Sequence, residues 1–132
     1  MAEWIFYEYI TASQKSPYRH WRDDLPPAAQ AAVDSMMKVV MMQSRIERPD
    51  WAWLKKDGEG LIEIRAKDSH RTQYRIIACH GRDVDSCYSK SIFLLGGLVE
   101  KGWKFKGKNS LDAMQQRKRD LIKFKRFVEW EE

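Results

Sequence analysis

Apolar and polar positions change period several times along the chain, and each change marks an element. Glu3 to Thr11 is rich in Trp, Ile, Phe and Tyr with polar residues at either end, which predicts a first strand. Ser13 to Trp21 is polar and contains Pro17, so it reads as a loop. Leu25-Pro26-Pro27 then opens a helix, because proline is tolerated in a first turn and Asp23 or Asp24 can cap the free amides. Ala29, Ala32, Val33, Met36, Met37 and Val40 recur at spacings of three and four, one apolar stripe on a helix ending near Gln43. Methionine commonly fills irregular gaps in cores, so the stripe reads as packing rather than as a promiscuous groove.

Arg48-Pro49-Asp50 breaks that pattern. Trp51, Trp53 and Leu54 precede Lys56-Asp57-Gly58, where Asp-Gly with Gly60 close behind is turn chemistry. Leu61 to Arg65 and Gln73 to His80 read as a hairpin about the polar residues Asp68 to His70. Gly81 to Lys90 is polar and turn-rich. Ser91 to Val99 is almost wholly apolar, the pattern of a central strand covered on both faces. Asn109 or Ser110 can cap a final helix whose Leu111, Met114, Leu121 and Ile122 form a stripe beside exposed Arg117, Lys118 and Arg119. Strand, helix, three strands, helix predicts one α+β domain over residues 1–132, with a core to about residue 126 and an acidic tail over 127–132.

At 132 residues the chain can bury an ordinary core without staples. No apolar run approaches the length of a membrane span, and the first residues lack the basic and apolar regions of a signal peptide, so the expectation is a cytoplasmic protein. Cys79 and Cys87 have neither a Cys-x-x-Cys spacing nor a nearby histidine pair, which predicts free thiols and no metal or other cofactor.

Charge changes the picture more. The net charge is +5, yet Lys55 to Arg126 carries 18 basic residues against 9 acidic, whereas residues 1–54 carry 6 against 7. A one-signed face in a small domain attracts nucleic acid through counterion release and steering. Arg65 and Arg75 lie inside the hairpin strands, where they can grip phosphates or instead pair with Glu63 or Asp68. Lys101 to Lys108 runs Lys-Gly-Trp-Lys-Phe-Lys-Gly-Lys, and Lys104, Lys106 and Lys108 share one side if the run is extended. Trp103 or Phe105 can stack a base, or can anchor the last helix to the sheet.

The residues also carry a resemblance. Leu25-Pro26-Pro27 before the long helix, Gly60-Leu61-Ile62-Glu63-Ile64-Arg65, Tyr74-Arg75-Ile76-Ile77, Leu94 to Lys101 and the helix beginning near Leu111-Asp112-Ala113 together resemble the RelE/HigB toxin superfamily, in particular its phage-related HigB-like branch. The match covers most of residues 1–125. It implies a small RelE-like fold, a mainly antiparallel curved sheet of about four strands with helices packed on one face. It also implies the toxin of a toxin-antitoxin system, a ribosome-dependent endoribonuclease (mRNA interferase) in which the RNA's own 2′-hydroxyl attacks the adjacent phosphate.

On that pattern Arg65, Arg75 and Lys101 belong to the catalytic site, and Lys104, Lys106, Lys108, Trp103 and Arg117 contact RNA. A histidine or tyrosine near the C-terminus serves some relatives, but this chain has neither after Tyr88, which leaves His80 as the catalytic acid-base candidate, with Tyr88 or a lysine of depressed pKa as alternatives. His20 and His70 lie in polar loops without metal spacing. Glu100 stands where relatives often carry a cation, and the threonine and proline they tend to have before the last helix are missing. The implied partners are the ribosome, mRNA and an antitoxin, commonly a helix-turn-helix protein, whose acidic segment would complement the basic region; neither a membrane nor a metal is implied. Two other functions stay open: a same-fold toxin that poisons DNA gyrase through a protein interface, like ParE, and a phage-derived nucleic-acid-binding protein without toxicity. The nuclease reading requires Arg65 and Arg75 to meet in an open hollow, not locked by interior carboxylates.

Overall fold

The computed structural model describes residues 3–100 and 108–131, with side chains from Leu111 onward in the second stretch. The elements are β1 (Ile5–Tyr9), α1 (Pro17–Asp23), α2 (Pro27–Met41), β2 (Trp51–Trp53), β3 (Ile62–Lys67), β4 (Gln73–His80), α3 (Gly81–Val84), β5 (Ser91–Glu100), α4 (Lys108–Phe124) and β6 (Phe127–Glu129). One six-stranded sheet runs β2-β3-β4-β5-β1-β6. Its pairs are antiparallel except β1 with β5, which is parallel and central. The domain is therefore α+β, as the alternation of patterns predicts.

The sheet has six strands where about four were expected. Both additional strands are three residues long, too short to show a period of two: β2 pairs with β3 through Trp51↔Ile64, and β6 pairs with β1 through Tyr9↔Phe127. The expected acidic tail is thus partly an edge strand, and Trp130 behind it is buried with its backbone N–H donating to the Phe6 carbonyl at 3.0 Å. The expected loop around Pro17 is α1. Ser16 caps it by accepting from the Arg19 amide at 3.0 Å, and Pro17 takes the first helical position, where a missing N–H costs nothing. The helix after Pro26 uses neither Asp23 nor Asp24 as its cap; Asp24 instead closes α1.

Helices cover both faces of the sheet, not one. Side chains alternate along β4, so Tyr74, Ile76 and Ala78 face α1 and α2, while Ile77 and Cys79 face α4. On the first side Val33, Met37 and Val40 of α2 pack against Ile62, Ile64, Ile76, Ile92 and Leu94, which makes the methionine stripe core. On the second side Met114 and Leu121 of α4 meet Leu61, Ile77, Cys79, Phe93 and Leu95. Each such aliphatic side chain contributes about 1.5–3 kcal/mol on burial. Ile122 is 37% exposed, so the stripe of α4 is narrower than its sequence suggests.

The Gly96-Gly97 step of β5 is where both layers press closest. A Cβ on Gly97 would come within 2.2 Å of the Trp21 ring of α1. On the other face a Cβ on Gly96 would lie 2.4 Å from Arg117 Nη1 and 2.8 Å from Met114 Cε. Two adjacent glycines let an indole and a guanidinium seat directly on the strand. Among the described residues no helix is long and apolar enough to cross a membrane.

Candidate nucleic-acid interface

Arg65 and Arg75 are direct cross-strand partners in the β3–β4 ladder, so their side chains leave the same face. It is the face that carries α4. Glu63, two residues before Arg65, shares it and is 1% exposed. Its Oε1 accepts from Arg65 Nε at 2.8 Å and lies 2.6 Å from Nη2, while its Oε2 accepts from Arg75 Nη1 at 2.6 Å. Arg75 Nη2 also pairs with Glu100 Oε2 at 2.5 Å. One interior carboxylate thus bridges the two guanidiniums, and a second tethers Arg75.

The arginines converge, but not as free cations in an open hollow. Side-chain exposure is 31% for Arg65 and 14% for Arg75. Glu63 and Glu100 balance their two charges. For Arg65 the bridge supplies orientation, since Glu63 holds its Nε and Nη2 edge and fixes the direction of the rest of the fork, whereas Arg75 is engaged at both ends, Nη1 on Glu63 and Nη2 on Glu100 and Gln73. Glu100, which stands where relatives of the resembled family often carry a cation, is a direct partner of Arg75.

Arg117 adds a third guanidinium to this face. It reaches from α4 across Gly96 and donates from Nη1 to the Leu95 carbonyl at 3.0 Å and to Met114 Sδ at 3.4 Å. Gly96 pairs with Ile77 and Leu98 with Arg75, so Arg117 sits one same-face position along the ladder from the Arg75 row. It has no carboxylate partner among the described residues, and burial pulls its pKa below the usual arginine value. The expected exposed trio of α4 is corrected in part: Arg117 and Lys118 are half-buried, and Lys118 donates to the Gly60 carbonyl at 3.0 Å and to Asp83 at 2.9 Å. Arg117 also lines a cavity of about 1320 Å³ between α1, the second half of β5 and α4. The sequence hid that cavity, because α1 read as a loop and Gly96-Gly97 as part of an apolar run.

His80 does not join the arginines. It ends β4 on the opposite face, 7% exposed, with Trp53 stacked on it at 5.9 Å and Trp4 edge-on at 5.5 Å. Its Nδ1 accepts the Arg82 amide at 3.0 Å as the cap of α3, and burial lowers its pKa, so the neutral ring is the folded form. It is a cap and a stacking partner, not an acid or base for chemistry at Arg65 and Arg75. Tyr88 packs among Tyr7, Phe93 and Phe127. Tyr9, on the α4 face of β1, donates to Asp120 at 2.6 Å; burial and that carboxylate push its pKa up to about 12. Lys101, Trp103, Lys104 and Lys106, with the side chain of Lys108, lie outside the described residues. No group of histidine, cysteine, aspartate and glutamate among the described residues could hold a metal ion.

Compared with known proteins, the chain matches no family model, no curated protein and no solved structure.

Proposed function

We propose that the chain is a toxin that cuts mRNA on the ribosome, with Arg65 and Arg75 holding the phosphate at the cut and Arg117 holding the RNA beside it. The observation that carries this reading is the convergence of three arginines from β3, β4 and α4 on one face, with Arg117 free of a carboxylate partner among the described residues; the lock of Arg65 and Arg75 by Glu63 and Glu100 counts against it, because the reading asked for guanidiniums not held by interior carboxylates. In the proposed reaction the 2′-oxygen bonds to phosphorus as the bond to the 5′-oxygen breaks, leaving a 2′,3′-cyclic phosphate and a 5′-hydroxyl. The proton lost by the 2′-hydroxyl is balanced by the one gained at the leaving oxygen. Guanidiniums act on the charge that gathers on the phosphoryl oxygens, and one such donor is worth about 2.7–4 kcal/mol of barrier. Lys101 directly follows Glu100 in the chain and belongs to the same proposed site, as do Lys104, Lys106 and Lys108 for the RNA backbone and Trp103 for a base. An antitoxin with an acidic segment is the proposed regulator, complementary to the +9 region from Lys55 to Arg126.

The test is a purified translation system programmed with a single message. Wild-type protein should yield fragments ending in cyclic phosphate only when ribosomes are present, and a 2′-deoxy nucleotide at the cut position should block cleavage. Intact messages with gyrase-dependent DNA breaks would replace this reading with a second one, a toxin that acts by protein contact. That second reading draws on the charge balance at Glu63 and Glu100, which suits a protein interface better than a polyanion groove.

A further inference from the structure

The opposite face carries a pocket that the nuclease reading does not use. It lies where β2 and β4 end beside the segment after α2, with a volume of about 320 Å³, and Trp4, Arg45, Trp53, His80 and Arg82 are among its lining residues. That volume is at the small end of the roughly 300–1,000 Å³ usual for small-ligand sites. Trp53 is the unusual member. It is a large aromatic on an edge strand, 45% exposed, with His80 stacked against it at an interplanar angle of 11°. Trp4 closes the bottom of the stack edge-on.

Charge around these rings is positive. Arg45 and Arg82 are exposed and have no carboxylate partner among the described residues, and Lys90 sits over the Trp4 ring at 5.3 Å. The acid in the lining, Asp83, is bound by Lys118 at 2.9 Å. His80 contributes a further donor. Because its Nδ1 accepts the Arg82 amide and burial keeps the ring neutral, its proton resides on Nε2.

A flat, half-open indole flanked by unpaired guanidiniums is the chemistry that binds an unstacked nucleobase together with its phosphates. We propose that this pocket takes a nucleotide of single-stranded RNA, its base stacked on Trp53 and its phosphates held by Arg45 and Arg82. The site is independent of the arginine cluster: it lies on the other face of the sheet, and it would bind RNA whether or not the protein cuts any.

The test is fluorescence anisotropy with a labelled eight-nucleotide RNA of mixed sequence, titrated with the full chain over a range of salt. Trp53→Ala should weaken binding about 5- to 150-fold, the range expected for one lost base stack, while Trp53→Phe should keep most of the affinity. Arg45→Ala and Arg82→Ala should each lower the slope of log affinity against log salt by about 0.7, a change that a folding defect does not mimic. Circular dichroism of each variant establishes that it is folded. Arg65→Ala, on the opposite face, leaves the Trp53 effect in place, so loss of the nuclease reading would not remove this one. Affinities and salt slopes unchanged in all three pocket variants would overturn the proposal. So would full competition by AMP at its own weak affinity with no gain from added nucleotides, which would mark a mononucleotide site.

Discussion

Replacing Glu63 by glutamine tests how the arginine pair is built. The carboxylate makes three short contacts, two to Arg65 at 2.8 and 2.6 Å and one to Arg75 at 2.6 Å. Counting each as a charged hydrogen bond of about 1.5–3 kcal/mol overstates the loss, because the arginines regain other partners once the charge is gone. Arg65 is already 31% exposed and turns to water, and Arg75 keeps Glu100 at 2.5 Å. Removing one partner of a buried ion pair costs about 3–5 kcal/mol, and these two outlets place Glu63→Gln at the low end, about 3 kcal/mol. For 132 residues at about 2.1 cal/mol/K each, that corresponds to a drop in Tm of roughly 10 °C. Urea unfolding followed by tryptophan fluorescence, with a thermal melt, measures both. The quadruple change Glu63→Leu, Arg65→Met, Arg75→Met and Glu100→Gln should recover most of the loss, since it removes both carboxylates together with the guanidiniums they pair and leaves no charge stranded. A Glu63→Gln protein within about 0.5 kcal/mol of wild type would refute the bridge as the element that fixes the two guanidiniums.

Other consequences follow from the same structure. Gly97→Ala places a Cβ 2.2 Å from the Trp21 ring and should cost about 3 kcal/mol by overpacking, with part recovered in Gly97→Ala/Trp21→Ala; equal stability of wild type and the single variant in urea would contradict that contact. The His80 pKa is lowered by burial and then by Arg82, with Lys90 acting the same way and Asp83 opposing, so below the ordinary value of 6.5 the unfolded chain takes up the proton first. Stability from this group is therefore complete above about pH 6.5 and declines as pH falls toward the folded value. His80→Asn, which keeps a capping acceptor but does not titrate, should show a shallower slope of unfolding free energy between pH 5 and 6.5 than wild type; parallel slopes would count against a buried neutral ring. Cys79 is buried, with its thiol pKa pushed up to about 12, whereas Cys87 is exposed. A thiol reagent at pH 8 should modify one group in the native protein and two in denaturant, and Cys87→Ser should abolish the native reaction.

Long periodic segments made the frame legible from the sequence. The α2 stripe, the β3–β4 hairpin and the apolar run of β5 have the expected identity, because ten or so residues of consistent period leave little choice of element. Three-residue strands could not be read this way, and neither could α1, where Pro17 marks a first helical turn as readily as a loop. The placement of helices on one face comes from the resemblance; the continuous apolar run Ile76 to Cys79 in β4, like that of β5, is the pattern of a strand covered on both faces. At the site, the i and i+2 spacing of Glu63 and Arg65 was visible, and pairing with Glu63 was one of the two alternatives read for the arginines. That Arg75 shares the same carboxylate depends on ladder register, which the sequence does not specify. His80 was drawn to the arginines by residue type alone; counting five positions back along β4 to Arg75 already places the two on opposite faces.

If Arg65 and Arg75 grip the phosphate at which RNA is cut, as proposed, cleavage depends on both. Single-turnover cleavage of ribosome-bound mRNA by Arg65→Ala and Arg75→Ala, each shown to be folded, tests it most directly. The expected result is a fall in rate of about 100-fold or more for each variant, with partial recovery for Arg→Lys, which restores charge but not the fork. Variants that cut at the wild-type rate, or a wild-type protein that leaves every message intact, would contradict it.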